Sequence, residues 1–152
     1  MVSRGETGKR SEAKSMADHI QFELVSPERL LVSQAVEMVV IPGSEGDFGV
    51  LPGHAPLISN VRPGMIAVFE DNKVVERIFV AGGFAEVTPE RCTVLAEAAT
   101  ILEDIDRATV EAEMREARDD LAEAKDDNER SRLEQAIAVG EAKIAVLDNP
   151  VY

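Results

Sequence analysis

The 152-residue sequence has no tryptophan, one cysteine, two histidines and an aromatic fraction of 4%. Each scarcity removes a class of function. The lone thiol, Cys92, can form neither an internal disulfide nor a cysteine metal cluster. Its strand-like neighbours mark it as a buried structural thiol rather than a reactive one. The two histidines, His19 and His54, give no HxH spacing, and CxxC is absent, so no metal ligand set is expected. Cations are few as well: 16 Lys and Arg against 29 Asp and Glu leave a formal charge of −13. A nucleic-acid backbone or an anionic lipid surface would be repelled. The longest uncharged apolar runs are strand-sized, too short for a transmembrane helix. With few aromatics, the core must come from Val, Ile, Leu and Ala, and a hydrophobic fraction of 45% suffices for one.

Glycine and proline are concentrated in one stretch. Residues 42–56, PGSEGDFGVLPGHAP, hold four Gly and three Pro together with Glu45, Asp47 and His54. Glycine opens backbone conformations closed to other residues, and proline fixes φ and removes a donor. The segment therefore reads as a specified backbone and not a flexible linker. Between strand-like runs, it is either a contact surface or site at the end of a sheet, or a crossover between two sheet layers.

Residues 1–15 carry Arg4, Lys9, Arg10 and Lys14 against Glu6 and Glu12, with almost no apolar residue. They lack the apolar centre of a signal peptide and read as a disordered N-terminal extension, with Met16 an alternative start. From Ile20 the pattern has period two, Ile20, Phe22 and Leu24 alternating with Gln21 and Glu23. Strand-like runs at 30–32, 36–41, 65–69, 74–81, 84–87 and 92–96 follow. Turn signals separate them at Ser26-Pro27-Glu28, Arg62-Pro63-Gly64, Asp71-Asn72 and Thr88-Pro89-Glu90. Many short strands spaced by turns predict an antiparallel β-sandwich or barrel over residues 16–100. Gly82-Gly83 reads as a bulge or corner.

Beyond residue 100 the period changes. Val110, Met114, Ala117, Leu121 and Ala124 recur at helical spacing, as do Leu133, Ile137, Gly140, Ile144 and Leu147. Residues 101–152 are therefore predicted to be an antiparallel two-helix hairpin. Asp104 is placed to cap the first helix, with Asp106 near its positive end. Asp126-Asp127-Asn128 breaks the pattern, and Ser131 with Glu134 offers a capping box for the second helix. Gly140 on the apolar stripe permits close helix approach. A seam rich in Ala and Gly buries little area, so the hairpin is expected to need a partner surface. Residues 103–152 hold fifteen acids and seven bases, which reads mostly as a solvated outer face.

Catalytic chemistry needs a nucleophile or metal with oriented acid–base partners. His54 with Glu45 and Asp47 imitates two-thirds of a triad, but Ser44 and Ser59 occupy ordinary turn or strand-end contexts. The protein is not expected to be an enzyme by itself and works by binding.

Four segments, GSEGDFGVLPGHAPLI, RPGMIAV, VAGGFAEV and CTVLAEAA, occur in that order. Their spacing resembles the epsilon-subunit family of the bacterial F-type rotary ATP synthase, over nearly all of residues 16–149. The resemblance implies a non-catalytic rotor subunit, peripheral on the cytoplasmic face of the inner membrane, that couples c-ring rotation to ATP synthesis. It implies a gamma subunit and a c-ring as partners, with transient contact to alpha and beta subunits. Glu45, Asp47 and His54 match the family's c-ring contact, and a sandwich face including parts of the 65–80 hairpin would grip gamma. In some members ATP binds the folded hairpin, through a motif matched here by Asp104, Arg107 and Ala108. Glu103 replaces the motif's apolar residue and 135–140 is uncharged, so ATP affinity should be poor and no cofactor is expected. The alternative is a free-standing sandwich-and-hairpin adaptor.

Overall fold

The computed structural model describes residues 18–150 and 152. The extension at 1–15 and the alternative start at Met16 lie outside the described residues. Ten strands fill the N-terminal part: β1 (Ile20–Val25), β2 (Leu30–Val36), β3 (Met38–Gly43), β4 (Gly46–Val50), β5 (Leu57–Val61), β6 (Gly64–Glu70), β7 (Lys73–Val80), β8 (Gly83–Val87), β9 (Arg91–Ala96) and β10 (Ala99–Ile101). A 3-10 turn (Leu102–Asp104) leads to helices α1 (Arg107–Ala122) and α2 (Asp127–Asp148). The sheet runs β10-β7-β6-β3-β5-β8-β9-β1-β2, with β4 paired to β3 off that path. β3 meets β5 through the single pair Gly43 with Val61, where one layer passes into the other. Among the described residues every ladder is antiparallel except β1 with β9, a pairing that local periodicity does not encode.

The expected turns are present. Asp71 and Asn72 both have positive φ, 52° and 61°, the geometry a two-residue hairpin needs to match strand twist. The apolar run 36–41 is divided at Glu37 between β2 and β3. Alternation then decides what each strand buries. Ile20, Phe22 and Leu24 of β1, Val39 and Ile41 of β3, and Ile66 and Val68 of β6 fill the sandwich core. The intervening residues Val40, Met65 and Ala67 form a second cluster on the outer face, packed against Leu102, Val146 of α2 and Tyr152. β6 is thus buried on both sides, which explains its unbroken apolar run.

The helix caps differ from expectation. Asp106, not Asp104, is the N-cap of α1, its carboxylate accepting from Thr109 N–H. Asp104 ends the preceding 3-10 turn instead. Asp126 caps α2 by accepting from Glu129 N–H at 2.7 Å, one turn before the Ser131 box. In both cases the acid nearest the helix start is already in reach of an orphan N–H, so the competing site is left without a capping role. Gly140 is buried against α1, where a Cβ would stand 2.4 Å from Met114 Cγ, so the close approach read from its position is real.

Gly83, with φ +152°, lies so near β9 that a Cβ would be 2.0 Å from the Leu95 carbonyl oxygen. Gly83→Ala is expected to destabilise by about 3 kcal/mol through combined strain and clash. Gly46→Ala, at φ +136° but with nothing within 4 Å of a new Cβ, should cost about 1 kcal/mol. Urea midpoints of the two variants check the difference.

Candidate functional site

The 42–56 stretch is a strand pair with two tight corners. β4 returns along β3 in the register Val39 with Val50 through Gly43 with Gly46, leaving Ser44 and Glu45 as the tip. The tip is fastened to the end of β5 and the residue after it: Ser44 N–H donates to Asn60 O at 3.0 Å and Arg62 N–H donates to Pro42 O at 2.9 Å. The Arg62 guanidinium donates to Gly43 O and to Asp47 Oδ1, each at 2.6 Å. The second corner, beyond β4, is fixed by Gly53 N–H donating to Pro89 O at 2.8 Å. His54 there shares a 2.7 Å contact between Nδ1 and the Ala55 carbonyl.

The structure therefore separates the three residues matched to a c-ring contact. Glu45 and Asp47 occupy one rim of the sandwich, whereas His54 lies past the far end of β4, about 15 Å further along the strand direction. Glu45 is exposed at the tip, and none of the three is in the core. Asp47 is already engaged, because its second oxygen, Oδ2, accepts from the Tyr152 hydroxyl at 3.0 Å.

Tyr152 makes further contacts besides packing on the outer-face cluster. Arg77 Nε donates to its main-chain oxygen at 2.9 Å, and its ring meets Phe69 edge-on with centroids 6.0 Å apart. Together with Ala142, Ala145 and Val146 of α2 against Gly64 and Met65, these contacts close a small cleft between hairpin and sheet. The hairpin is thus in its folded position on β6. Desolvation raises the Tyr152 pKa, as do the hydrogen bond and negative charge of Asp47, with Arg62 opposing them. Cys92 is buried and its thiol is pushed up to about 12 by desolvation, an inert core group.

Asp104, Arg107 and Ala108 face different neighbours. Asp104 lines a depression with Arg29 and Glu76 of the sandwich, and Ala108 is exposed. Arg107 pairs with Asp148 at the end of α2. One cleft between the helices is lined by Glu113, Glu116 and Asp120 with Lys143, and a second by Arg115 and Arg118 with Glu111 and Glu141.

Much of β6 in the 65–80 hairpin, parts of which were expected in a gamma-gripping face, is covered. Ile66 and Val68 face the core, and Met65 and Ala67 face α2. Val75 of β7 is exposed, and a further uncovered apolar row lies elsewhere. Phe84 pairs with Leu95, Leu95 with Val25, and Val25 with Leu30, forming one row across β8, β9, β1 and β2. Phe84, Leu95 and Leu30 are 37%, 49% and 54% exposed, and Ile58 on neighbouring β5 is 64% exposed. The signal was legible: Phe84 and Leu95 share strand phase with the outward Glu86 and Thr93, not with the inward Ala85 and Val94.

A sandwich with a hairpin folded on one wall and an apolar row uncovered on another is the surface of a docking subunit. Residues 19–101 match the family model described as ATP synthase, Delta/Epsilon chain, beta-sandwich domain, and residues 106–150 match the model for the C-terminal domain of the ATP synthase epsilon chain. The ATP synthase epsilon chain of Rhodospirillum rubrum is 55% identical over 130 residues, 86% of this sequence and 97% of that one. That of Rhodospirillum centenum is 55% identical over 137 residues, covering 87% and 94%. A subunit of the Euglena gracilis mitochondrial ATP synthase, solved as an OSCP/F1/c-ring assembly, superposes with a TM-score of 0.73 at 27% identity, covering 87% of this protein and 83% of that subunit. The protein belongs to the ATP synthase epsilon chain family.

Below its ordinary value of 10.0 the Tyr152 phenol is protonated and donates to Asp47. As pH rises through the raised folded value, a phenolate would face a carboxylate, and this contribution is lost. Tyr152→Phe keeps the Phe69 contact but removes the donor. It should speed amide exchange in the last turns of α2 roughly 2- to 10-fold near neutral pH and abolish the alkaline loosening expected of the native hairpin.

Proposed function

We propose that this protein is a non-catalytic central-stalk subunit of a proton-translocating ATP synthase, docking on the gamma subunit and transmitting c-ring rotation. The observation that carries the reading is the apolar row Phe84, Leu95, Val25 and Leu30, uncovered although the hairpin already covers the outer face of β6. In this reading gamma covers that row. The Glu45 tip, with Asp47 behind it, meets the polar loops of the c-ring, and His54 on the opposite rim is left to a different neighbour in the stalk. Support for a torque-bearing tip comes from four hydrogen bonds that tie it to Asn60 and Arg62, through Ser44, Pro42, Gly43 and Asp47, and make it stiff. Attachment through protein contacts agrees with the described helices, none of which is long and apolar enough to cross a membrane.

The hairpin is proposed to regulate hydrolysis by leaving β6, which requires release of the Tyr152 contacts and exposure of Val40, Met65 and Ala67. One inter-helix cleft is acidic and the arginines of the other, Arg115 and Arg118, are offset by Glu111 and Glu141, which disfavours nucleotide as the holding ligand, so the protein contacts themselves hold it.

Capture from solubilised membranes tests the docking face. Tagged wild-type protein should bring alpha, beta, gamma and c subunits, and Leu95→Glu should reduce that recovery at least tenfold. Val75→Glu, at a residue 54% exposed but outside the row, should leave it unchanged. Free-standing adaptor behaviour, with wild-type recovery of none of these subunits, contradicts the proposal. For the ring contact, a Glu45→Ala, Asp47→Ala double variant should lower proton-driven ATP synthesis severalfold more than uncoupled hydrolysis. Equal loss of both activities counts against that assignment.

A further inference from the structure

At the rim opposite the Glu45 tip, three strand ends place a histidine and two carboxylates together. Ile20 pairs with Val36, which brings His19 beside Glu37, and Met38 pairs with Phe69, which brings Glu37 beside Glu70. One ligand atom from each of His19, Glu37 and Glu70 lies within 4.8 Å of the others. His19 Nε2 is 3.5 Å from Glu70 Oε1, and the His19 side chain is only 10% exposed, so this is not a surface acidic patch. Sequence spacing gave no hint of the set, because its members are 18 and 33 positions apart and converge only through strand pairing.

The carboxylates are also oriented. Glu70 Oε1 accepts from Glu37 N–H at 2.7 Å, and Glu37 Oε1 accepts from Asp71 N–H at 2.5 Å. Backbone donors of this kind fix the direction of ligating carboxylates in metal sites. A tetrahedral zinc with bonds of about 2.1 Å needs ligand atoms roughly 3.4 Å apart, within a side-chain adjustment of the present spacing. Two like charges drawn together in a protein of net charge −13 favour a bound cation. One imidazole with two carboxylates suits a borderline divalent ion, whereas Mg2+ prefers an all-oxygen shell. Exposed Asp18, which shares an open depression with Glu37, and water are available for the remaining position.

We propose that His19, Glu37 and Glu70 form a divalent transition-metal site of the zinc class. The ion ties the start of β1 and the β2–β3 junction to the β6–β7 turn, and so staples the entry of the sandwich. The site is independent of the gamma and c-ring surfaces proposed above.

The test uses the full-length protein, stripped with chelator and titrated calorimetrically with Zn2+ in about 150 mM salt, so that diffuse attraction to a negative protein is screened. One saturable equivalent is expected, with a rise in melting temperature that Mg2+ at the same concentration does not produce. His19→Ala and the shape-preserving Glu37→Gln and Glu70→Gln should each weaken binding at least about tenfold, while His54→Ala should not. Melting curves in chelator show which variants remain folded, and the visible spectrum of the Co2+-loaded protein reports a low-symmetry nitrogen–oxygen site directly. Saturable binding that survives in the folded Glu37→Gln and Glu70→Gln variants, or that is lost in His54→Ala, overturns the assignment. So does the absence of a saturable equivalent in the native protein.

Discussion

The fold depends on strands β3 and β6 being buried on both faces. In an ordinary sandwich strand, one phase meets the core and the other meets water. Here Val39, Ile41, Ile66 and Val68 fill the sandwich, while Val40, Met65 and Ala67 form the floor on which α2 and Tyr152 rest. These two strands are therefore the shared wall of two cores. The hairpin gains from them the apolar area its own Ala- and Gly-rich seam cannot supply. Of the residues on α1 and α2 only Val110, Met114, Ala117 and Gly140 are buried. If the hairpin leaves, the floor becomes an exposed apolar surface, so its release requires another protein to take up one or both faces.

Polar contacts at the two rims of the sandwich play different parts. At one rim Arg62 joins the Glu45 tip, Asp47 and, through Asp47, the Tyr152 hydroxyl. The proposed ring contact and the position of the hairpin thus share a carboxylate, a physical route by which one can influence the other. At the opposite rim His19, Glu37 and Glu70 gather beside the Asp71-Asn72 turn. The elements between the rims are rigid ladder, which suits a part that transmits force.

Much of the fold was legible because it rests on local rules. Period-two alternation gave β1, turn chemistry gave the Asp71-Asn72 hairpin, and helical spacing gave both helices and the Gly140 crossing. The caps fall a few residues before or after their expected positions, Asp106 in place of Asp104 and Asp126 in place of Ser131, because several polar residues near each helix start satisfy the same rule and only geometry chooses among them. The parallel β1–β9 pairing, the Tyr152–Asp47 bond across 105 positions and the convergence of His19 with Glu70 were not legible, since nothing in a local window encodes which distant segment arrives alongside. The apolar row was readable in principle. Its signal was a phase violation, Phe84 on the side of Glu86, and two such residues are easily absorbed into a strand assignment. Glu45, Asp47 and His54 were grouped by the resemblance of their segment to the family's c-ring contact, and the returning strand β4 places His54 apart from the other two.

The central claim is that the β8-β9-β1-β2 face is the gamma interface while the Glu45 tip points at the ring. Single-particle imaging of the intact, membrane-extracted ATP synthase that contains this protein tests it most directly. The account predicts Phe84, Leu95 and Leu30 covered by gamma, with Glu45 at the c-ring surface. A map in which that apolar row faces solvent, or in which the Glu45 tip points away from the ring, would contradict it.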